Sequence, residues 1–299
     1  MKPLSSEYLS PEIVSRLSRL DLIAKHVVEG YITGLHKSPY HGFSTEFAEH
    51  RQYMRGDSLR YLDWKVYGRT DRMYIKRFEE ETNLKSHIIF DISGSMGFKS
   101  KGALSKLEYA KILVASLSFL MIRQRDSVGI LTFSDILKSY VPPRSVQSQL
   151  TEIIKVLNST EPSGTTITGP ILHTLAERLS VKGLVILISD LIVDPEELIH
   201  GLKHFRHNGH EVLVFHIVDP MELQFDYNEE TRFIDSETNA KITTQPWHIR
   251  DKYLSMYNEQ LTSIIHSMHD ISVDYARLET HIPLDRALTE YLAKRKRLH

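Results

Sequence analysis

From Lys85 onward the chain alternates between two hydrophobic periods. Ser86–Phe90, Ser127–Phe133, Leu184–Ser189 and Val212–Val218 are nearly continuous apolar runs, the pattern of strands buried on both faces. Between them, apolar residues recur at helical spacing. Leu104–Arg123 carries Leu107, Ala110, Val114, Leu117 and Met121 on one face, and Val146–Leu157, Gly169–Leu179 and Pro195–Phe205 read as further helices. Ile136–Val141 reads as a short strand returning along an edge. Alternation of this kind predicts an α/β fold, a doubly wound and mostly parallel sheet of the Rossmann-like type.

The regular alternation stops at Asp219-Pro220. Arg232–Thr244 reads as a hairpin turning near Glu237-Thr238-Asn239-Ala240, so an insertion is expected near 225–246. A helix from about Arg250 to His266, a strand over Ile271–Leu278 and a terminal helix over Leu284–Lys296 complete a domain spanning 83–299. Residues 1–82 read as a helical and extended N-terminal appendage. Within it Ser10 can cap a helix over Pro11–Val28, with Ile13, Leu17, Leu20 and Ala24 on one face. A polar stretch punctuated by Gly30, Gly34 and Gly42 follows, then a motif from Arg51 to Trp64 and a strand over Met73–Phe78.

Composition narrows the function classes. The 299 residues hold 37 Lys and Arg against 38 Asp and Glu, so no global field draws the chain to nucleic acid or acidic lipid. There is no cysteine, which excludes disulfides, thiolate zinc sites and thiol catalysis and fits a reducing compartment. The start of the chain lacks the apolar core of a signal peptide, and no apolar run reaches a membrane span. The expectation is a soluble, cytoplasmic protein.

The chemistry concentrates at Asp91-Ile92-Ser93-Gly94-Ser95-Met96, where a strand gives way to a glycine-containing turn. A carboxylate and two hydroxyls at alternate positions are hard oxygen donors that suit a small divalent cation. In an open α/β sheet, ligands collect at the carboxyl ends of the strands. Two other loops are expected at that edge: Pro162-Ser163-Gly164-Thr165-Thr166, offering the Thr165 hydroxyl, and Ser189-Asp190. The candidate metal residues are therefore Asp91, Ser93, Ser95, Thr165 and Asp190. Ordinary turn and cap roles are the alternative for the three hydroxyls.

This set resembles the metal-ion-dependent adhesion site (MIDAS) of von Willebrand factor type A domains, and the likeness covers roughly Asn83 to Leu278. The resemblance implies magnesium or manganese. It implies direct ligation by Ser93 and Ser95, direct or water-mediated ligation by Thr165, mostly water-mediated roles for Asp91 and Asp190, and an open position for an acidic residue of a partner. Thr166 departs from the pattern, since many relatives carry asparagine or aspartate there. The upstream motif Arg51-x-Tyr53-x-x-Gly56-Asp57-x-x-Arg60-x-x-Asp63-Trp64, with Arg69, Glu79-Glu80-Glu81 and the ending Ile282-Pro283-Leu284-Asp285-Arg286-Ala287-Leu288, resembles the bacterial domain-of-unknown-function family numbered 58. That likeness implies a link to MoxR-type AAA+ ATPases, as an adaptor or co-chaperone. On the residues alone, the arginines, aspartates and aromatics of the motif fit charge-assisted bonds pinning an N-terminal lobe, or contact with a partner.

Other chemistries are less well supplied. His200 and His204 lie one helical turn apart and could share a metal, although a solvated helix face explains them as well. Ser93 and Ser95 lack a nucleophile elbow, and the chain has no Walker A pattern. The expectation is a non-catalytic, metal-dependent protein-binding module whose partner is a MoxR-type ATPase or its client. A magnesium-dependent hydrolase or phosphotransferase using the same site is the alternative.

Overall fold

A computed structural model describes residues 24, 44–54, 62–81, 85–100, 104–165, 168–179, 181–235 and 240–288. The chain divides into two compact units, one formed by Lys37–Leu84 and the other by the remainder. In the smaller unit, β1 (Ser44–Gln52) pairs antiparallel with β2 (Tyr74–Glu81), from Ser44 opposite Glu81 to Gln52 opposite Tyr74, with an irregularity between Phe47 and Glu49. Between them lies α1 (Trp64–Thr70), whose N-cap Asp63 accepts hydrogen bonds from the backbone N–H groups of Lys65 and Val66. Asp63 thus has a local role in stopping the chain and starting a helix. Residues 55–61 of the Arg51–Trp64 motif, and nearly all of the expected Pro11–Val28 helix, lie outside the described residues.

The larger unit is built on six strands: β3 (Lys85–Asp91), β4 (Ser127–Phe133), β5 (Leu137–Arg144), β6 (Leu184–Ser189), β7 (Glu211–Val218) and β10 (Asp274–Glu279). Their order is β10-β7-β6-β3-β4-β5. All pairings are parallel except that of β4 with β5. This is the expected α/β architecture with a mostly parallel sheet. Helices α2 (Lys106–Arg123), α3 (Ser148–Ser159), α4 (Thr168–Arg178) and α5 (Pro195–His207) make the crossovers. A short helix α6 (Pro220–Gln224) and a hairpin of β8 (Thr231–Ile234) with β9 (Lys241–Thr244) follow β7. Helix α7 (Pro246–Asp270) then leads to β10.

The central strands are buried along nearly their whole length because both sheet faces are covered. One face, with Ile89, Leu131, Val185, Leu187 and Val214, packs on Leu172, Leu198, Leu202, Phe205, Ile264 and Met268 from α4, α5 and α7. At about 25 cal/mol per Å² of apolar surface, such burial is the main stabilising term of the unit. Edge strand β5 alternates half-buried and exposed residues and ends in Pro142-Pro143-Arg144, and proline is tolerated at a sheet edge because its missing N–H faces no partner.

Three expectations need correction. Ser44–Gln52 was not expected to be a strand. The long helix runs from Pro246 to Asp270 rather than Arg250 to His266, because Pro246 sits at its first turn, where proline's missing N–H costs nothing. The last strand begins at Asp274, since Ser272 adopts a left-handed turn conformation (φ 56°). The hairpin tip at 236–239 and the terminal helix beyond residue 288 lie outside the described residues. No helix among the described residues is long and apolar enough to cross a membrane.

His87, buried in the middle of β3, has lost its solvation and lies near His210 and Lys85, so its pKa falls to about 4. Among the described residues its Nδ1 has no hydrogen-bond partner. A folded-state pKa below the unfolded value near 6.5 means that only the unfolded chain binds the proton between about pH 4 and 6.5, so stability falls as pH falls through that window. His87→Leu is therefore expected to raise the thermal midpoint at pH 5 by clearly more than at pH 7.5. Circular-dichroism melts at both pH values check this, and an equal shift at the two would refute the assignment.

Candidate metal centre

Strand β3 lies between β4 and β6, so the crossovers leaving β3 and β6 diverge to opposite sides of the sheet. A crevice forms at such a switch point, at the carboxyl ends of the strands. Asp91 is the last residue of β3, and Ser189-Asp190 ends β6. All three are buried.

The turn after β3 is folded by its own aspartate. Asp91 Oδ1 accepts the Ser93 N–H at 2.9 Å, and a 3-10 turn over Gly94–Gly97 follows. The turn brings Ser93 Oγ within 3.0 Å of Ser95 Oγ, both buried. The second carboxylate oxygen of Asp91 accepts a 2.6 Å bond from Ser189 Oγ, which itself accepts the Leu191 N–H. Ser95 also hydrogen-bonds the Asp190 carboxylate. Four of the five expected ligand residues thus converge through side-chain contacts.

Thr165 comes to the site through its backbone neighbours. Ser163 N–H donates to Ile92 O at 2.9 Å and Gly94 N–H to Gly164 O at 3.1 Å, stitching this loop to the metal turn. Gly164 has φ +77°, and a Cβ there would sit 2.9 Å from both Ser134 Oγ and Asp135 Oδ1, so only glycine fits. Thr165 itself is exposed at the rim, and Thr166 lies outside the described residues.

Sequence reasoning missed one fully buried charge of the site. Lys106, in the first turn of α2, has no exposed surface. Its Nζ donates to Asp190 Oδ2 at 2.7 Å and to Glu222 Oε1 at 2.6 Å. Glu222 in turn accepts the Asp219 N–H at its other oxygen, 3.1 Å away, and Asp219 accepts the N–H groups of Met221 and Ser100. Nothing local marked this lysine, because a lysine in a first helical turn normally faces solvent. Its partners lie 84 and 116 residues away.

Burial alone would strip the proton from Lys106, but Asp190 and Glu222 outweigh it and raise the pKa above the ordinary lysine value. Burial would likewise raise Asp190, yet the Lys106 charge with hydrogen bonds from Lys106 and Ser95 holds it below the usual carboxylate range. Among the described residues, none of the causes acting on Asp91 is a cation. Burial first, then the Asp190 charge, push its pKa up to about 7, against the hydrogen bonds from Ser189 and Ser93. Fully ionised, Asp91, Asp190 and Glu222, with the buried Asp219 carboxylate beside Glu222, outnumber Lys106 among the described residues, so the cluster carries surplus negative charge that favours a cation.

The donor set fits magnesium. Adjacent ligands of an octahedral ion at about 2.0–2.1 Å stand about 2.9 Å apart; the two serine oxygens share a hydrogen bond at 3.0 Å, a separation that two ligands of one ion could keep. Among the described residues no three His, Cys, Asp or Glu side chains are arranged to hold a metal, so a cation here relies on hydroxyl oxygens. Among the described residues the histidines do not supply an alternative cage. His204 meets His173 instead, Nδ1 to Nδ1 at 2.9 Å, in a pair bridging α5 and α4.

Residues 49–263 match the model of the family described as "Protein of unknown function DUF58". The chain belongs to the DUF58 family. Relatives of this DUF58 protein include the "Uncharacterized protein Rv1480" of Mycobacterium tuberculosis (strain ATCC 25618 / H37Rv), 22% identical over 233 residues, which make up 77% of this chain and 73% of that one. Among solved structures it is similar to the conserved hypothetical protein BatB from Bacteroides thetaiotaomicron, with 18% identity, TM-score 0.45 and coverage of 71% of this chain and 98% of that one. It is also similar to the SpRpn10 VWA domain, with 12% identity, TM-score 0.42 and coverage of 71% and 95%.

A carboxylate whose folded pKa exceeds the unfolded value of about 4 is destabilising above that value, and the cost grows as pH rises through its folded pKa. In chelator-treated protein at pH 8, Asp91→Asn is therefore expected to raise stability by on the order of 1 kcal/mol or more, a midpoint shift of roughly 2–4 °C or above. The gain should shrink toward pH 5. Denaturation at the two pH values checks it, and a destabilised variant at pH 8 would contradict the charge balance.

Proposed function

We propose that this DUF58 protein is a non-catalytic, metal-dependent protein-binding module that captures an acidic side chain at the crevice formed by Asp91, Ser93, Ser95, Thr165 and Asp190. The observation carrying this reading is the pair of buried serine hydroxyls, 3.0 Å apart, at the edge of a buried carboxylate cluster with surplus negative charge. Magnesium or manganese, held there, would supply a Lewis-acidic position for a guest carboxylate. Ser93 and Ser95 would hold it directly. Asp91 and Asp190, whose oxygens are engaged by Ser189 and Lys106, are suited to act through water. Exposed Thr165 stands at the mouth, where a guest arrives.

A hydrolase would need a base free to take a proton from water. Lys106 is locked between two carboxylates, and His216, with its Nδ1 2.8 Å from the Tyr275 hydroxyl, is buried with its pKa lowered to about 4. Neither group is poised for that task near neutral pH, and Asp91, with a pKa of about 7, has both oxygens engaged by Ser93 and Ser189. The likeness to MoxR-linked proteins supports an AAA+ ATPase or its client as the source of the acidic residue.

Titration calorimetry with magnesium is expected to give one site, weakened by about 10–100-fold or more in Asp91→Ala. Pull-down from native lysate should then recover an AAA+ ATPase or client in magnesium and lose it in chelator or with Asp91→Ala. Retention in chelator would sink the adhesion reading. Turnover of phosphate esters by the pure protein would favour the enzyme alternative.

A further inference from the structure

Lys106 occupies an unusual place for a fixed cation. It shares Asp190 with the crevice on one side and Glu222 with α6 on the other, and it has no water-exposed surface. Its ring neighbour Phe98, 5.8 Å away, closes the space beside it. Two charges of the same sign, a resident ammonium and an arriving divalent ion, must both be balanced by Asp190. Inside a protein such charges interact strongly over several ångströms. How much of the ammonium's field reaches the crevice depends on Glu222, whose carboxylate is 2.6 Å from Nζ.

Glu222 is held through α6. It closes the capping box of α6, a five-residue helix, by accepting the Asp219 N–H. The helix ends at Phe225, forced into a left-handed conformation (φ 47°) and stacked against Phe233 of the hairpin, with Tyr253 of α7 alongside. The Tyr253 hydroxyl donates to Glu222 O at 3.2 Å. The position of Glu222, and so the charge left on Lys106, is therefore set by the α6–hairpin–α7 insert together with the loop at Ser100, whose N–H donates to Asp219.

We propose that Lys106 is an internal counter-cation that tunes the divalent-metal affinity of the crevice, and that Glu222 makes this tuning responsive to the position of the α6–hairpin insert. The proposal rests on the magnesium-binding reading above. A Glu222 docked on Lys106 offsets part of the ammonium charge, so that Asp190, bonded to the same Nζ, keeps more of its own charge for the metal. A Glu222 drawn away by a partner on the insert leaves an uncompensated ammonium, which weakens metal binding and releases the guest. Lys106 and Glu222 are positioning residues in this scheme.

The test is a charge cycle read by magnesium calorimetry on the full chain, using wild type, Lys106→Met, Glu222→Gln and the double variant. Removing the cation is expected to tighten magnesium binding by about tenfold or more, and removing the compensating anion to weaken it by about tenfold or more. The double variant restores the net charge and should return to within about threefold of wild type. A purely structural strut would give losses in both single variants, and that result, or no change in either, overturns the proposal. Wild type that binds no magnesium would overturn the metal reading itself and this one with it, so the two failures are told apart. Should Lys106→Met fail to fold, Glu222→Gln and the double variant still decide the sign. Amide exchange gives a second readout. Magnesium should slow exchange of the Phe225 N–H, which is bonded to Met221 O at 2.9 Å, in wild type and not in Glu222→Gln. An unresponsive amide in wild type would refute the link to the insert.

Discussion

Asp91 and Asp190 end adjacent parallel strands with both carboxylates out of water, and the rest of the site is an answer to that constraint. A buried carboxylate must find hydrogen bonds, a counter-charge or a proton. Asp190 takes the counter-charge, from Lys106. Asp91 takes the hydrogen bonds, from the Ser93 backbone and the Ser189 hydroxyl, and in doing so folds the turn that places the two serine oxygens side by side. The shape of the crevice and its electrostatics are thus one arrangement. Removing a partner from either carboxylate is expected to disturb the turn as well as the charge.

The fold supplies this pairing at low cost. Only at a switch point do two neighbouring parallel strands send their crossovers to opposite sides, leaving their carboxyl ends clear of helix. The hydroxyl donors then come from short loops already pinned by backbone bonds, such as Gly94 to Gly164 and Ser163 to Ile92. Little chain entropy remains to be lost when a ligand arrives, which favours capture.

Most of the larger unit was legible because its strands are buried on both faces, and such strands write themselves as unbroken apolar runs, as in Leu184–Ser189. Helix faces followed from spacing, and ends missed by a few residues, as at Pro246, where a terminal turn is too polar for periodicity to reach. Strand β1 escaped because Ser44–Gln52 is largely polar and is specified by backbone pairing with β2, a long-range fact. In the site, Asp91, Ser93 and Ser95 declared themselves within six residues. Lys106 and Glu222 could not, because the meaning of each depends on a partner across the molecule. Ser189 was within reach: as the neighbour of Asp190 on the same strand, it had to present its hydroxyl at that edge.

The outer rim of the large sheet carries a further consequence. At Pro142 and Pro143 on β5, two successive backbone positions offer no amide hydrogen. A foreign strand approaching that flank would find gaps in the ladder it needs, so β-sheet growth between molecules is discouraged there. That edge of the sheet is thereby a poor template for further copies of the same chain.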